Sequence, residues 1–325
     1  MSGPVIVFVE HAGGEVDRLS LEALTVARGV AATLGSSLEG VLVGTGAGAV
    51  GRLLGATGVA TALVAEDARL DAYAPAAWAA TIRAAMANRS PAAVIAPGSD
   101  RGNEVLAHVA ARSGLPMAAN VLSIEPGPSW RLVRQRWAGS LLEDAALDAP
   151  VRLLSIAPHA APAAEVGGSA PVVVALAPEL TEADLVARVV GTEPRSGGGV
   201  SLTDAKVVVG GGRGVGSAEG FRKLEELAGL LGGAVGGSRV VTSLGWRPHA
   251  DQIGQTGLRI APDLYIACGI SGAIQHIVGC KSAKRILAIN TDAESPIMAV
   301  ADYAVIGDLG TIVPAISAEI QRRHG

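Results

Sequence analysis

A chain of 325 residues, of which 49% are hydrophobic and 17% charged, is long enough for two domains that each bury an apolar core. Its net charge of −4 and its aromatic content of 3% argue against a nucleic-acid-binding protein. The two cysteines, Cys268 and Cys280, lie in apolar sequence and are interpreted as reduced packing residues rather than as a disulfide.

Targeting and membrane segments are not evident in the sequence. The first strand-like run begins at Pro4 without a basic or Arg-rich leader, and no apolar run approaches membrane-spanning length. We therefore expect no membrane insertion. We expect the protein to be located in a prokaryotic cytoplasm. The second choice is an organelle, with a chain from which a targeting segment has been removed.

Strand-like and helix-like runs alternate along the first half of the chain, which predicts an α/β domain. In chain order we predict strands at 5–9, 38–43, 60–65 and 92–96 and helices at 19–34, between 43 and 60, and at 78–88. Shorter strand-like pieces follow around Val121, Leu132 and residues 151–156. Glu66 follows the glycine-rich turn at 44–49 at about the sequence separation expected of an acidic residue that binds a ribose. No other polar residues cluster near this turn in the sequence. We interpret it as an ordinary βα turn.

The composition changes near residue 200. A Pro-rich segment of small residues at 158–171 is followed by Thr-Glu-Pro-Arg-Ser-Gly-Gly-Gly at 192–199, which is typical of an interdomain linker. We predict domains at residues 1–195 and 204–325, joined by a linker at 196–203. The second domain alternates again, with strands at 206–209, 264–268, 285–289 and 303–306 and helices at 217–231, from 271 and from 311.

Glycines and polar residues follow each of these four predicted strands. They are residues 210–214, 269–272, 290–292 and Asp308. In an open parallel sheet, ligands bind beyond the carboxyl ends of the strands, where the following helices begin. We therefore predict a ligand site at this edge of the second sheet.

The motifs at this edge argue against several kinds of site. Residues 210–217 lack the third glycine of a dinucleotide fingerprint, since Ser217 stands in its place, and no Gly-Lys-Ser/Thr of a phosphate loop follows. His276 has no neighbours at metal-ligand spacing, and no G-x-S-x-G elbow indicates hydrolysis. We expect neither a metal nor a catalytic residue.

Residues 254–257 and 269–276 instead combine glycines with Gln, Thr, Ser and His. Glycines let the backbone approach a ligand closely, and these side chains supply hydrogen bonds without a fixed charge, which suits a flavin ring. We expect Ser271 to be the N-cap of the helix that holds His276.

An ordered series of motifs across residues 204–325 strongly resembles the electron transfer flavoprotein alpha subunit. The motifs are Gly-Gly-Arg-Gly at 211–214, Gly-Gly-Ser-Arg at 236–239, Gln-Ile-Gly-Gln-Thr-Gly at 252–257, Leu-Tyr-Ile-Ala at 264–267, Gly-Ile-Ser-Gly-Ala-Ile-Gln-His at 269–276, Asn290 and Ala-Asp-Tyr at 301–303. Such an ordered series is more specific than any single motif. The first half resembles the family only loosely, through its α/β opening and Arg-Trp-Ala-Gly at 136–139.

The resemblance implies an N-terminal α/β nucleotide-binding-like domain that contacts a separate beta subunit, and a C-terminal domain with a doubly wound parallel sheet that binds one FAD. The residues implied to bind FAD are Arg213, Gly214, Ser238, Arg239, Gln252, Ile253, Gly254, Gln255, Thr256, Gly269, Ser271, Gly272, Ala273, Ile274, Gln275, His276, Asn290, Asp292, Asp308 and Leu309. Of these, Arg239, Thr256 and His276 are implied to face the isoalloxazine ring, and Asn290 and Asp308 the adenosine part.

The function implied by the resemblance is electron transport by a heterodimer, as a carrier rather than an enzyme with its own substrate. Such a carrier takes single electrons from flavin dehydrogenases, such as the acyl-CoA dehydrogenases of fatty acid β-oxidation, and passes them to a quinone-linked oxidoreductase. Two other functions stay open: the alpha subunit of an electron-bifurcating, NADH-oxidising complex, and an NAD-binding enzyme of a related fold. A structural subunit with a vestigial site is disfavoured because Arg239, Thr256, Gln275 and His276 are all present.

Overall fold

The computed structural model describes residues 3–191 and 200–324. The chain divides into two compact units, Met1–Pro194 and Arg195–Gly325. Residues 196–199 of the predicted linker lie outside the described residues, so the linker stays a prediction.

The first unit is built on one large sheet with helices between its strands. The strands are β1 (Val5–Phe8), β2 (His11–Ala12), β3 (Glu15–Val16), β4 (Leu38–Val43), β5 (Thr61–Ala65), β6 (Ala93–Pro97), β7 (Met117–Glu125), β8 (Trp130–Arg136), β9 (Leu141–Leu147), β10 (Arg152–Ile156) and β11 (Val172–Ala175). The helices are α1 (Arg18–Leu34), α2 (Ala47–Leu53), α3 (Pro75–Arg89) and α4 (Asp100–Ser113), with short 3₁₀ turns at Leu54–Thr57, Ala68–Leu70, Trp137–Gly139 and Glu182–Asp184.

The nine-stranded sheet has the order β11-β5-β4-β1-β6-β10-β7-β8-β9, and β2 pairs with β3 in a separate hairpin. Its first seven strands are parallel, whereas β8 and β9 extend it antiparallel. The central series β5-β4-β1-β6-β10 has the strand order of a Rossmann fold. The first unit is therefore an α/β domain of the nucleotide-binding type, as predicted.

The central strands of this sheet are apolar on both faces, as parallel strands covered by helices must be. β1 has the sequence Val-Ile-Val-Phe, is buried throughout and divides its side chains between two apolar clusters. α1 begins where the Asp17 carboxylate accepts a hydrogen bond from the Leu19 backbone N at 2.8 Å, and it ends at Gly35 in the left-handed conformation.

The glycine-rich turn between β4 and α2 is closed by a carboxylate of the chain itself. Glu66 Oε1 accepts a hydrogen bond from the Gly48 backbone N, in the first turn of α2, at 2.9 Å. This carboxylate lies where an anionic ligand would meet the helix N-terminus. The contact agrees with the interpretation of residues 44–49 as an ordinary βα turn.

A partly buried ion pair joins α3 to β4. Glu39 is 3% exposed and accepts hydrogen bonds from the Arg89 guanidinium at 2.9 and 2.5 Å. We expect Arg89→Ala to lower the free energy of unfolding by about 2 kcal/mol, because it leaves a buried carboxylate without a counter-charge. Arg83→Ala, at an exposed position of the same helix, is the matched control and should cost less than about 0.5 kcal/mol. Equal urea midpoints for the two variants would contradict this prediction.

The second unit is built on a smaller sheet that is parallel throughout. Its strands are β12 (Val207–Gly211), β13 (Ala234–Gly237), β14 (Leu264–Cys268), β15 (Ile286–Asn290) and β16 (Tyr303–Ile306), in the order β13-β12-β14-β15-β16. Its helices are α5 (Phe221–Leu230), α6 (Arg239–Ser243), α7 (Ile274–Cys280) and α8 (Leu309–His324), with 3₁₀ turns at Arg213–Val215, His249–Asp251 and Pro296–Ala299.

Alternate residues of these strands face two separate apolar clusters. On one face Val208, Tyr265 and Ala267 pack in one cluster, and on the other Val209 and Ile266 pack with residues of α5 and α8. A parallel sheet covered on both faces in this way is doubly wound. The predicted fold class is therefore confirmed for both units.

The order of the second sheet places its topological switch point between β12 and β14. The chain leaves β12 for β13 on one side and then returns to β14 on the other. In open parallel sheets, ligands bind beyond the carboxyl ends of the two strands that flank such a point. This is the edge at which the sequence predicts a ligand site.

Candidate functional site

Two glycine-rich loops meet at the switch point. The Gly212 backbone N donates a hydrogen bond to the Cys268 carbonyl at 2.9 Å, and the Gly214 N donates to the Gly269 carbonyl at 3.0 Å. A Cβ on Gly212 would lie 2.3 Å from the Gly269 carbonyl oxygen, and one on Gly269, whose φ is +61°, would lie 2.7 Å from the Gly214 Cα. Backbone packs against backbone here, so these positions require glycine. Arg213 lies between them and is exposed.

A third loop brings a cation to the same edge of the sheet. Ser238 follows β13, its backbone N donates to the Gly211 carbonyl at 2.9 Å, and its hydroxyl makes no capping hydrogen bond to α6. Arg239 begins α6 and is exposed, and its side chain forms no ion pair with any residue that the structure describes. The exposed guanidinium of Arg239 is therefore available to an anionic group.

The segment after α6 holds a hydroxyl in a defined orientation. Gln252 is 3% exposed, and its Oε1 accepts a hydrogen bond from Thr242 Oγ1 at 2.8 Å while its Nε2 donates to Thr256 Oγ1 at 2.9 Å. Because Thr256 Oγ1 already accepts from the amide, its own proton is free to be donated elsewhere. Thr256 is exposed, so its hydroxyl can serve as a donor to a ligand.

This segment also packs closely on the start of α7. Gly254 has φ of +146°, and a Cβ there would lie 2.9 Å from the Gln275 carbonyl oxygen. That carbonyl accepts a hydrogen bond from the Gln255 backbone N at 2.7 Å. A Cβ on Gly279 would lie 2.3 Å from the Gly254 N. Glycines at both sites therefore let residues 254–257 lie directly against α7, next to Ile253, which pairs with the end of β13.

The helix that holds His276 begins later than the sequence predicts. α7 starts at Ile274 with Ala273 as its N-cap, so the predictions of a start at residue 271 and of Ser271 as the N-cap are wrong. The reason is Gly272, whose φ of +80° and contact with the Ile297 backbone keep the chain out of the helical conformation. Residues 271–275 form a loop and first turn in which all residues except Gly272 are exposed.

His276 itself lies beneath this surface. It is 6% exposed, its Nε2 is 2.8 Å from the Tyr265 hydroxyl oxygen, and its Nδ1 is buried without a hydrogen-bond partner in the described part of the chain. Burial lowers the pKa of His276 to about 4, and the Ile253 backbone carbonyl opposes part of that shift. The imidazole is therefore neutral near pH 7, and the Ile253 carbonyl lies near the ring although Nδ1 makes no hydrogen bond of standard geometry to any described residue.

Asn290, the last residue of β15, makes its hydrogen bonds within the protein. Asn290 Nδ2 donates to the Ile270 carbonyl at 3.0 Å and to Ser295 Oγ at 3.1 Å, and its Oδ1 accepts from the Asp292 backbone N at 3.1 Å. Asn290 thus fixes the loop after β14 through contacts within the protein. The implied contact of Asn290 with adenosine stays a prediction.

The two carboxylates at this edge, Asp292 and Asp308, are exposed. Asp292 Oδ1 accepts a hydrogen bond from the Glu294 backbone N at 3.0 Å, and the Asp308 carbonyl accepts from the first turn of α8. Leu309 Cδ1 lies beside Gly269, 2.8 Å from where a Cβ would stand. Leu309, which follows β16, therefore packs against the loop after β14.

Sequence reasoning missed the residues that support the site from within. Tyr265, Thr242 and Ser295 each hydrogen-bond a predicted site residue. Tyr265 carried a signal that could have found it, since the chain has only three tyrosines and this one lies in an otherwise aliphatic strand.

Within residues 3–191 and 200–324, no group of three or more His, Cys, Asp or Glu side chains is arranged to hold a metal ion. Over the same residues, no helix is both long and apolar enough to span a membrane.

This chain is similar to known proteins along nearly its whole length. The profile of the electron transfer flavoprotein domain matches residues 5–180, and that of the electron transfer flavoprotein FAD-binding domain matches residues 201–281. Similar proteins include Protein FixB of Clostridium saccharobutylicum, 35% identical over 97% of this chain and 95% of its own length. The electron transfer flavoprotein subunits alpha of Bacillus subtilis and Mycobacterium leprae are 34% and 37% identical, over 99% and 98% of this chain and 98% and 99% of their own lengths. The chain therefore belongs to the electron transfer flavoprotein alpha-subunit family.

Proposed function

We propose that the second unit binds one FAD at the switch-point edge and that the chain transfers single electrons as the alpha subunit of a heterodimer. The observation that carries this proposal is the donor set at one edge of the sheet. Among the residues that the structure describes, it consists of an exposed guanidinium without an ion pair (Arg239), an oriented hydroxyl (Thr256) and a buried imidazole nitrogen without a hydrogen bond (His276 Nδ1). A ring that gains negative charge on reduction needs such donors.

The backbone around the donors also suits an extended dinucleotide. Gly212, Gly214 and Gly269 let the loops after β12 and β14 pack backbone against backbone at the edge of the sheet where we propose that the pyrophosphate binds. Arg213 adds a positive charge beside them. The remaining residues proposed to contact FAD are those that the resemblance implies.

Bound FAD supplies redox chemistry in which electrons are accepted and released one at a time. The residues of this chain set how easily that happens. Arg239 stabilises negative charge by its own positive charge, whereas Thr256 and His276 act as neutral donors whose hydrogen bonds strengthen as charge grows on the acceptor.

Arg239→Ala tests this assignment. We expect the first one-electron potential of the bound flavin to fall by about 40 mV, which is about a fivefold change in the reduction equilibrium, since about 59 mV corresponds to a tenfold change for one electron. Arg322→Ala near the C-terminus of α8 removes an arginine from the same unit and is the control. Spectroscopic redox titration of the two variants gives the comparison. A potential in Arg239→Ala equal to that of the control would remove Arg239 from the flavin site.

The proposed partners are a beta subunit, flavin dehydrogenases as electron donors and a quinone-linked oxidoreductase as acceptor. Exposed apolar side chains at the β8–β9 turn support contact of the first unit with a protein partner: Trp137 is 77% and Leu142 is 67% exposed. The electron-bifurcating alternative requires a second flavin in the beta subunit, so a flavin count separates the two functions. Fatty acid β-oxidation as the pathway and the cytoplasm as the location stay predictions.

A further inference from the structure

Tyr265 and His276 form a hydrogen-bonded pair inside the second unit. Tyr265, on β14, is fully buried, and its hydroxyl oxygen is 2.8 Å from His276 Nε2. The hydroxyl lies against β12, where a Cβ on Gly210 would stand 2.2 Å from it. Glycine at position 210 therefore leaves the space that lets the tyrosine reach the histidine.

The position of the proton between the two rings follows from the available partners. Within the described residues, His276 Nε2 is the hydrogen-bond partner of the Tyr265 hydroxyl. Burial raises the pKa of this hydroxyl well above 10, so it keeps its proton, and the neighbouring thiols of Cys268 and Cys280 are neutral because burial raises their pKa to about 12. A phenol O–H is a stronger donor than an imidazole N–H, and an imidazole nitrogen is a stronger acceptor than a phenol oxygen, so the hydroxyl donates to Nε2.

The imidazole then has one possible tautomer. A neutral histidine carries a single proton, and an Nε2 that accepts a hydrogen bond leaves that proton on Nδ1. Nδ1 is the buried atom without a partner. The opposite arrangement, with the proton on Nε2, would leave the tyrosine O–H without an acceptor among the described residues.

We propose that Tyr265 is a positioning residue that holds His276 as the neutral Nδ1–H tautomer, so that Nδ1 presents a hydrogen-bond donor toward the flavin. This inference rests on the proposed function for the identity of the acceptor. The tautomer itself is a property of the protein alone and can be measured without FAD.

The test is a ¹⁵N NMR measurement on histidine-labelled full-length chain, purified with its beta subunit and recorded before and after removal of FAD. His276→Asn identifies the His276 resonances. In the wild type we expect a protonated Nδ1 and an unprotonated Nε2. In Tyr265→Phe, which keeps the ring and removes the hydroxyl, we expect the Nε2–H form to rise to at least half of the population. Tyr303→Phe, at a 60% exposed position, should leave the wild-type spectrum unchanged.

The possible outcomes are distinct. A wild-type His276 protonated on Nε2, or a Tyr265→Phe variant with the wild-type tautomer, would overturn the inference, since a purely structural tyrosine would alter stability and not the proton position. If Tyr265→Phe does not fold, the wild-type spectrum still decides. A complex that binds no FAD but shows the Nδ1–H tautomer would contradict the proposed function and leave the positioning role of Tyr265 intact.

Discussion

Gly212→Ala is expected to destabilise the second unit by about 3 kcal/mol and to abolish FAD retention. The new Cβ would lie 2.3 Å from the Gly269 carbonyl oxygen and 2.7 Å from the Ile270 Cα. Both obstacles are backbone atoms, so no side-chain rotation relieves the contact, and the two switch-point loops must move apart. The hydrogen bonds that join Gly212 to Cys268 and Gly214 to Gly269 would be lost with that movement.

The matched control for this variant is Gly229→Ala in α5. A Cβ on Gly229 has open space around it, and alanine is favoured over glycine within a helix by up to about 1 kcal/mol. The two substitutions therefore have opposite expected signs. Urea unfolding of the FAD-free protein gives the stabilities, and absorbance of the purified complexes gives the FAD content. A Gly212→Ala variant as stable as the wild type would show that the switch-point loops are not packed as described.

Acidification is expected to destabilise the second unit through His276. Its pKa is about 4 in the folded protein and 6.5 when unperturbed, because burial disfavours the charged form. The unfolded chain therefore takes up a proton at a higher pH than the folded one. The stability that the neutral imidazole provides is fully present above pH 6.5 and is lost as the pH falls toward 4. The loss amounts to about 3 kcal/mol, at about 1.4 kcal/mol for each unit of pKa difference.

Comparison with His276→Gln isolates this effect. The variant lacks the titrating group, so its free energy of unfolding should fall less steeply between pH 7 and pH 4 than that of the wild type. His249→Gln, at an exposed position, should keep the wild-type slope. The measurement is made without FAD, whose negative charge would itself alter the pKa. Parallel curves for His276→Gln and the wild type would show that His276 is not buried as a neutral ring.

The strands that the sequence predicted best, β4, β14 and β16, are each flanked by glycine or polar residues. The predicted bounds of β14 and β16 coincide with those observed, since both runs end at glycine or polar residues. β13 was missed because it has the sequence Ala-Val-Gly-Gly, in which two glycines mask the strand pattern. α4 was missed because its first turn is polar, although Ser99 caps it by accepting a hydrogen bond from the Gly102 N at 2.8 Å.

Some residues of the site could likewise be predicted from the local sequence, whereas others depend on tertiary contacts. Its glycines could be predicted from motifs, because they directly follow strands that are recognisable in the sequence. The pairs Gln252–Thr242 and Tyr265–His276 could not, since each joins residues on separate elements through a single side-chain hydrogen bond. Ser271 was wrongly assigned as a helix cap because the positive φ of Gly272 is set by contact with Ile297, which lies far along the chain.

We expect this chain to carry one FAD in its second unit. The direct measurement is the number of flavins bound per complex, after co-purification of the full chain with its beta subunit, combined with a reductive titration followed by visible absorbance. One FAD, reduced in two separate one-electron steps, is the predicted result, and two flavins that titrate differently would favour the bifurcating complex. No bound flavin, even after FAD is added in excess, would contradict the account.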